Sequence, residues 1–190
     1  VTAEIASNKT YVRYHPAMAL VEPSPPDPAW PRHSARPFPP YRFVAGLNPH
    51  PRRDPGGHAY GTPETPPPRL SPEEWRRNEA YLHGIDLYNF AYWWECHEVL
   101  EALWHLTGHR GAEAQYLQGL IQTAAANLKR HVGSAEGARR LGKEAAARLS
   151  SVGAGTFMGL RLGPFIRAVE ARHVAEATDA VPLIRLTEPA

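Results

Sequence analysis

The chain has 190 residues, a formal net charge of +2, 43% apolar residues, 21% charged residues and five tryptophans, enough to pack a core and too balanced for wholesale disorder or a basic nucleic-acid glove. No run of about 18 apolar residues is present, so a membrane span is not expected, and the lone Cys96 excludes an internal disulfide framework or a zinc site built from several thiolates. Residues 1–10 are mostly polar, so no secretory leader is expected and a reducing cytoplasm is the default compartment.

Proline divides the chain. Seventeen of the twenty prolines fall between Pro16 and Pro72, and proline removes a backbone donor and fixes φ, so this stretch cannot hold a helix. A plain linker would be polar, yet Trp30, Phe38, Tyr41, Phe43, Val44, Leu47 and Tyr60 punctuate it. Residues 1–70 are therefore expected to form an extended arm whose aromatic residues cover the helical body or a neighbouring subunit, best anchored from Phe38 to Tyr60. A homo-oligomer formed through this arm is the partner expectation; nucleic acid and membrane are not.

Helical signals begin at Ser71-Pro72-Glu73-Glu74, a cap serine, a first-turn proline and two acids placed for the helix dipole. They predict a helix from Pro72 to about His83, ended or kinked at Gly84, and a longer one from Ile85 to Leu106, stopped by Thr107-Gly108. A third helix is predicted over 112–132, a fourth from a Ser134 cap to about Leu149, and a fifth from Pro164 to about Ala177, followed by an apolar tail from Val181 to Leu186. No alternating strand and no internal repeat emerges. The expected fold is all-α: a four- to five-helix bundle over residues 71–190, preceded by the extended proline-rich arm.

The second helix carries the chemistry. At 100° per residue its apolar arc is built by Val99, Tyr92, Leu103, Cys96, Leu100, Trp93, Trp104 and Phe90. Asn89 falls near the centre of that arc, His97 lies between Trp104 and Phe90, and Glu101 follows one turn on at the edge, with Glu98 further out and Glu95 pointing largely away. The third helix buries Leu117, Ile121, Ala124 and Leu128, flanked by Gln118 and Gln122. An antiparallel hairpin across residues 107–111 would bring His97 and Glu101 to Gln118 and Gln122. Such groups must be partnered if buried, because an unpaired polar group costs about 1–3 kcal/mol and an unpaired charge more. Cys96, deep in the apolar arc, reads as core rather than as a nucleophile.

The run Tyr88-Asn89-Phe90-Ala91-Tyr92-Trp93-Trp94-Glu95-Cys96-His97-Glu98-Val99-Leu100-Glu101-Ala102-Leu103-Trp104 resembles the signature of a bacterial and archaeal family known as domain of unknown function 309. The usual phrase of that family is Phe-Asn, a variable stretch, then Glu-Ala-His-Glu-x-Leu-Glu-x-x-Trp, and Cys96 stands where alanine is usual. Tyr116-Leu117-Gln118-Gly119-Leu120-Ile121-Gln122 is similar to its second phrase, and Gly137-Ala138-Arg139-Arg140-Leu141 to its third. The resemblance covers roughly residues 72–150 and implies an all-helical bundle with the Glu/His helix packed on the Gln helix. It brings no established activity, and the arm lies outside it.

The polar cluster has three readings. In a structural or small-ligand-binding module, a buried network of His97, Glu101, Gln118 and Asn89 fixes helix pairing, and Trp93, Trp94 and Trp104 wall a ligand pocket, with Asn89, Glu98, Gln118 and Gln122 as further ligand-binding residues. In a metalloprotein, His97, Glu98 and Glu101 offer nitrogen and oxygen ligands at helical spacing to a divalent transition metal, although His97-Glu98-x-x-Glu101 lacks the second histidine of His-Glu-x-x-His. In a metal-free enzyme, Glu101 raises the basicity of His97, and this catalytic pair moves a proton on a small substrate. The structural or ligand-binding module ranks first and the metal- or His/Glu-dependent enzyme second.

Overall fold

The structure is a computed structural model that describes residues 20–63 and 65–187. The first 19 residues of the expected arm, and with them the leaderless reading of residues 1–10, lie outside the described residues. A short 3-10 helix, Pro72–Arg77, precedes five α-helices: α1 (Glu79–Asn89), α2 (Trp93–Leu106), α3 (Gly111–His131), α4 (Ala135–Val152) and α5 (Leu162–His173). α3 packs against both α2 and α4, α1 lies against α2, and α5 lies against α4. This is the all-α bundle the periodicity predicts. Between α4 and α5 a small antiparallel hairpin pairs β1 (Thr156–Phe157) with β2 (Leu160–Arg161); strands of two residues are too short to show alternation in the sequence.

The chain breaks between the first two α-helices at a different place from the one expected. Gly84 neither ends nor kinks a helix; it lies inside α1, where a Cβ would meet Leu100 Cδ2 at 2.7 Å. The missing side chain lets α1 and α2 approach each other. The break falls at Phe90–Tyr92 instead, where the Tyr92 N–H donates to the Leu87 carbonyl at 2.8 Å and the Ala91 N–H to that of Tyr88 at 3.2 Å. These two bonds make a Schellman closure, with Ala91 at φ 64° in the position glycine usually takes. An alanine there costs about 1–2 kcal/mol and leaves no glycine in the sequence to mark the stop. α5 also ends early, at His173 rather than near Ala177, because the chain turns back through Glu176 at φ 52°.

Residues 20–63 hold no helix and lie against the helical body. Phe43 and Val44 are buried, Trp30 and Phe38 pack on the core, and the Phe38 ring centroid is 4.9 Å from those of both Phe90 and Tyr92. Burial of a side chain such as Phe43 contributes about 1.5–3 kcal/mol toward offsetting the entropy of ordering an extended segment. The expected anchoring stops short of Tyr60, which is 53% exposed.

Polar side chains of α1 set the register of both extended segments. The fully buried Asp86 carboxylate accepts the backbone N–H of His33 at 2.8 Å and of Ser34 at 2.9 Å, and Arg32 Nε at 3.3 Å. One turn on, Asn89 clamps the C-terminal tail, its Oδ1 accepting from Ile184 N–H and its Nδ2 donating to the Ile184 carbonyl, both at 2.8 Å. The apolar tail thus lies along α1, with Ile184 and Leu186 in the core.

Candidate functional site

α2 presents His97, Glu98 and Glu101 together on a face that solvent reaches. Side-chain exposures of 33%, 33% and 40% follow the edge of the apolar arc, whose buried members include Trp93, Cys96, Leu100 and Leu103. His97 Nδ1 is 3.4 Å from Glu98 Oε1 and 3.9 Å from Glu101 Oε2. The nitrogen atom itself is buried and has no hydrogen-bond partner. One ligand atom from each of the three residues lies within 4.8 Å of the other two. Burial works against the charged imidazole, but the Glu98 and Glu101 carboxylates outweigh it and hold His97 above the usual histidine range.

The expected helix-pairing network is not what forms. Asn89 is buried but uses both amide atoms on Ile184, so it is no partner of His97. Gln122 is half-buried and turns to α4, donating to Glu144 at 2.8 Å and accepting from Arg148 at 3.1 Å. Long charged residues on the outer face of α4 compete successfully for that amide. Gln118 is half-buried as well. The His97 cluster is therefore semi-exposed rather than a sealed network.

Trp93 and Trp104 have different surroundings. Trp93 is buried and meets His131 edge-on at 6.2 Å, whereas the half-buried Trp104 stacks on His109 at 3.8 Å between centroids. The indole N–H of each is buried without an acceptor. Cys96 is fully buried, and burial pushes its thiol far up, in accord with a core role.

Glu95, which the helical projection points outward, is 4% exposed because the arm covers that face of α2. Its Oε1 accepts the Phe43 N–H at 2.9 Å and lies 3.6 Å from His58 Nε2, while Oε2 is buried without a partner. Burial pushes this carboxyl up to about 7, against the pull of the Phe43 N–H. The neighbouring Trp94 is the signal that marks this face as covered: its ring meets Phe43 at 5.1 Å and His50 at 5.4 Å. Burial, then Arg53, hold the His50 imidazole below the usual histidine range.

A second polar network was not foreseen. Asn127 Nδ2 donates to Tyr88 Oη at 3.1 Å, and Tyr88 Oη donates to the Pro182 carbonyl at 2.7 Å. With its nitrogen so placed, Asn127 turns its oxygen to His173 Nε2 at 3.0 Å. His173, the last residue of α5, is fully buried. Its partners lie on α1, α3 and the tail, which identifies a helix-joining network and not a ligand set.

Residues 81–141 match the family model described as Domain of unknown function (DUF309), the family whose phrases the sequence resembles. The matched stretch takes in most of α1, all of α2 and α3, the start of α4 and the whole His97 cluster. No curated protein matches the chain. No helix among the described residues is long and apolar enough to cross a membrane.

Proposed function

We propose that this protein is a helical module that binds a divalent transition metal through His97, Glu98 and Glu101. The observation that carries the reading is the convergence of one imidazole nitrogen and two carboxylates within 4.8 Å, with His97 Nδ1 lacking a hydrogen-bond partner. Two ligands on one tetrahedral ion at about 2.1 Å lie about 3.4 Å apart, and His97 Nδ1 to Glu98 Oε1 is 3.4 Å. Small rotamer changes bring Glu101 in. A nitrogen and oxygen donor set of this kind suits zinc, manganese or iron rather than a soft thiophilic ion.

Partial exposure favours a working site over a closed structural one. A metal held on one helix face keeps coordination positions open to solvent, the arrangement of catalytic centres. The metal would supply Lewis acidity to a small molecule at this face, with His97, Glu98 and Glu101 holding the ion in place. Without a metal the same cluster is a histidine flanked by carboxylates, the basis of a proton-transfer enzyme.

The test is calorimetric titration of the full chain with zinc and with manganese, repeated on His97→Ala and Glu101→Gln. One-to-one binding lost in both variants supports the reading. Absence of binding, or binding that both variants retain, overturns it.

Assembly through the arm is supported by a separate observation: the exposed large hydrophobic residues among those described, Val21, Leu47 and Tyr60, all lie on the arm. Light scattering on the full chain and on a Leu47→Ser, Tyr60→Ser variant tests it. A shared monomeric mass would exclude this role.

A further inference from the structure

A groove of about 560 Å³ runs between the arm, β2, α5 and the tail, lined by Trp30 to His33, Leu160, Arg161, Pro164, Phe165, Ala168, Leu183 and Arg185 to Thr187. None of the His97 cluster belongs to it. The floor is apolar: Leu160, Phe165 and Leu186 are 3–5% exposed members of the core. The rim is basic, with Arg32, Arg161 and Arg185 and no acidic residue among the described residues that line it. Arg32 is neutralised by Asp86. Arg161 and Arg185 have no carboxylate partner among the described residues, and Arg185 Cζ sits over the Trp30 ring, 4.4 Å from its centroid.

We infer that this groove is a binding site for a small amphiphilic carboxylate, an apolar chain or ring carrying one anionic head. The volume lies in the range of small-molecule sites, which are mostly apolar with a few convergent polar groups. The apolar floor takes the body of the ligand by the hydrophobic effect. The planar guanidinium forks of Arg161 and Arg185 match a carboxylate in bidentate geometry, and stacking on Trp30 pre-orders Arg185 for that contact. A neutral head forgoes the attraction of these two exposed guanidiniums, and a cationic one is repelled. The four segments that build the groove meet only in the folded chain, and two of them, the arm and the tail, are the ones clamped by Asp86 and Asn89.

Calorimetry of the full chain with sodium decanoate, below its micelle concentration, is the test. Decan-1-ol supplies the body without the charge, acetate the charge without the body, and decyltrimethylammonium the opposite charge. Saturable one-to-one binding of decanoate is expected, with acetate not bound and the alcohol and the ammonium each at least about tenfold weaker. An Arg161→Gln, Arg185→Gln variant, altered only at exposed positions, should bind decanoate about tenfold more weakly while melting like the parent. Ala168→Trp, which fills the floor, should abolish binding. No decanoate binding to the parent chain, equal binding of decanoate and decyltrimethylammonium, or undiminished binding in the double-arginine variant overturns the inference.

Discussion

The carboxyl of Glu95 accepts the backbone N–H of Phe43 at 2.9 Å in a buried bond that joins residues 52 positions apart. Through it the arm is fastened to α2 one turn from the His97 cluster. Burial pushes Glu95 up to about 7, whereas an unfolded glutamate titrates near 4.3. The folded chain therefore binds more protons between these values, so this group's contribution to stability is full below about pH 4 and is lost as pH rises through about 7. The swing is at most about 4 kcal/mol. Glu95→Gln keeps an acceptor for Phe43 and removes the charge. Thermal melts should show the variant gaining several degrees on the parent near pH 8 and little near pH 5. An identical difference at both pH values would show that Glu95 does not titrate in this window.

His173 works with the opposite sign. Burial, then Arg172 and Arg130, hold its imidazole down at about 4, against about 6.5 in the unfolded chain. The unfolded state binds the extra proton between these values, so the contribution is present above about 6.5 and lost as pH falls toward 4. Between about pH 4.5 and 6.5 the two groups oppose each other, and Glu95→Gln should uncover stability that rises with pH across this interval. Proton NMR near pH 5.5 should find the His173 ring neutral. A protonated His173 at that pH would refute the assignment.

What was legible in the sequence follows from what each signal depends on. Bundle helices and their capping glycines and prolines are local, so α3 and α4 lie close to their expected bounds. Ala91 hid a helix stop because it adopts a positive φ without being glycine, and Gly84 mimicked one because its role is a close approach to Leu100, a tertiary fact. The His97, Glu98 and Glu101 grouping was visible because all three share one helix. Partners supplied by distant segments were not: a helical projection exposes Glu95 until the arm covers it, and it centres Asn89 in a core without revealing that Ile184 arrives there. Trp94 beside Glu95 was the available hint, since so large an apolar ring on an outward face asks for a cover.

Asp86 makes the arm's seating testable apart from the helices. Its carboxylate gathers three donors from residues 32–34, and Asp86→Ala leaves the buried Ser34 N–H and the half-buried His33 N–H without an acceptor. A loss of about 2–4 kcal/mol is expected from the broken charge-assisted bonds. Because those bonds belong to the arm, its early sites should respond first. Limited trypsin digestion should cut after Arg32 and Arg42 in the variant under conditions that spare the parent, with helical circular dichroism preserved at low temperature. Protection equal to the parent's would mean that Trp30, Phe38 and Phe43 seat the arm unaided.

Gly142 tests the contact between α4 and α5. A Cβ at this position would stand 2.4 Å from His173 Cβ and 3.3 Å from its Cγ. The obstructing atoms adjoin the α5 backbone, so no rotamer change clears them and the helices must separate. Alanine raises helix propensity by about 1 kcal/mol over glycine, while overpacking a tight contact costs about 1–3 kcal/mol. The geometry places Gly142→Ala at the upper end of that cost, for a net loss of about 1–2 kcal/mol. Moving α5 also pulls His173 from Asn127, so the His173 ring should titrate closer to the ordinary histidine range in the variant. Chemical denaturation and the NMR titration read the two effects separately, and a variant that is stabilised with His173 unchanged would show that the helices already have room.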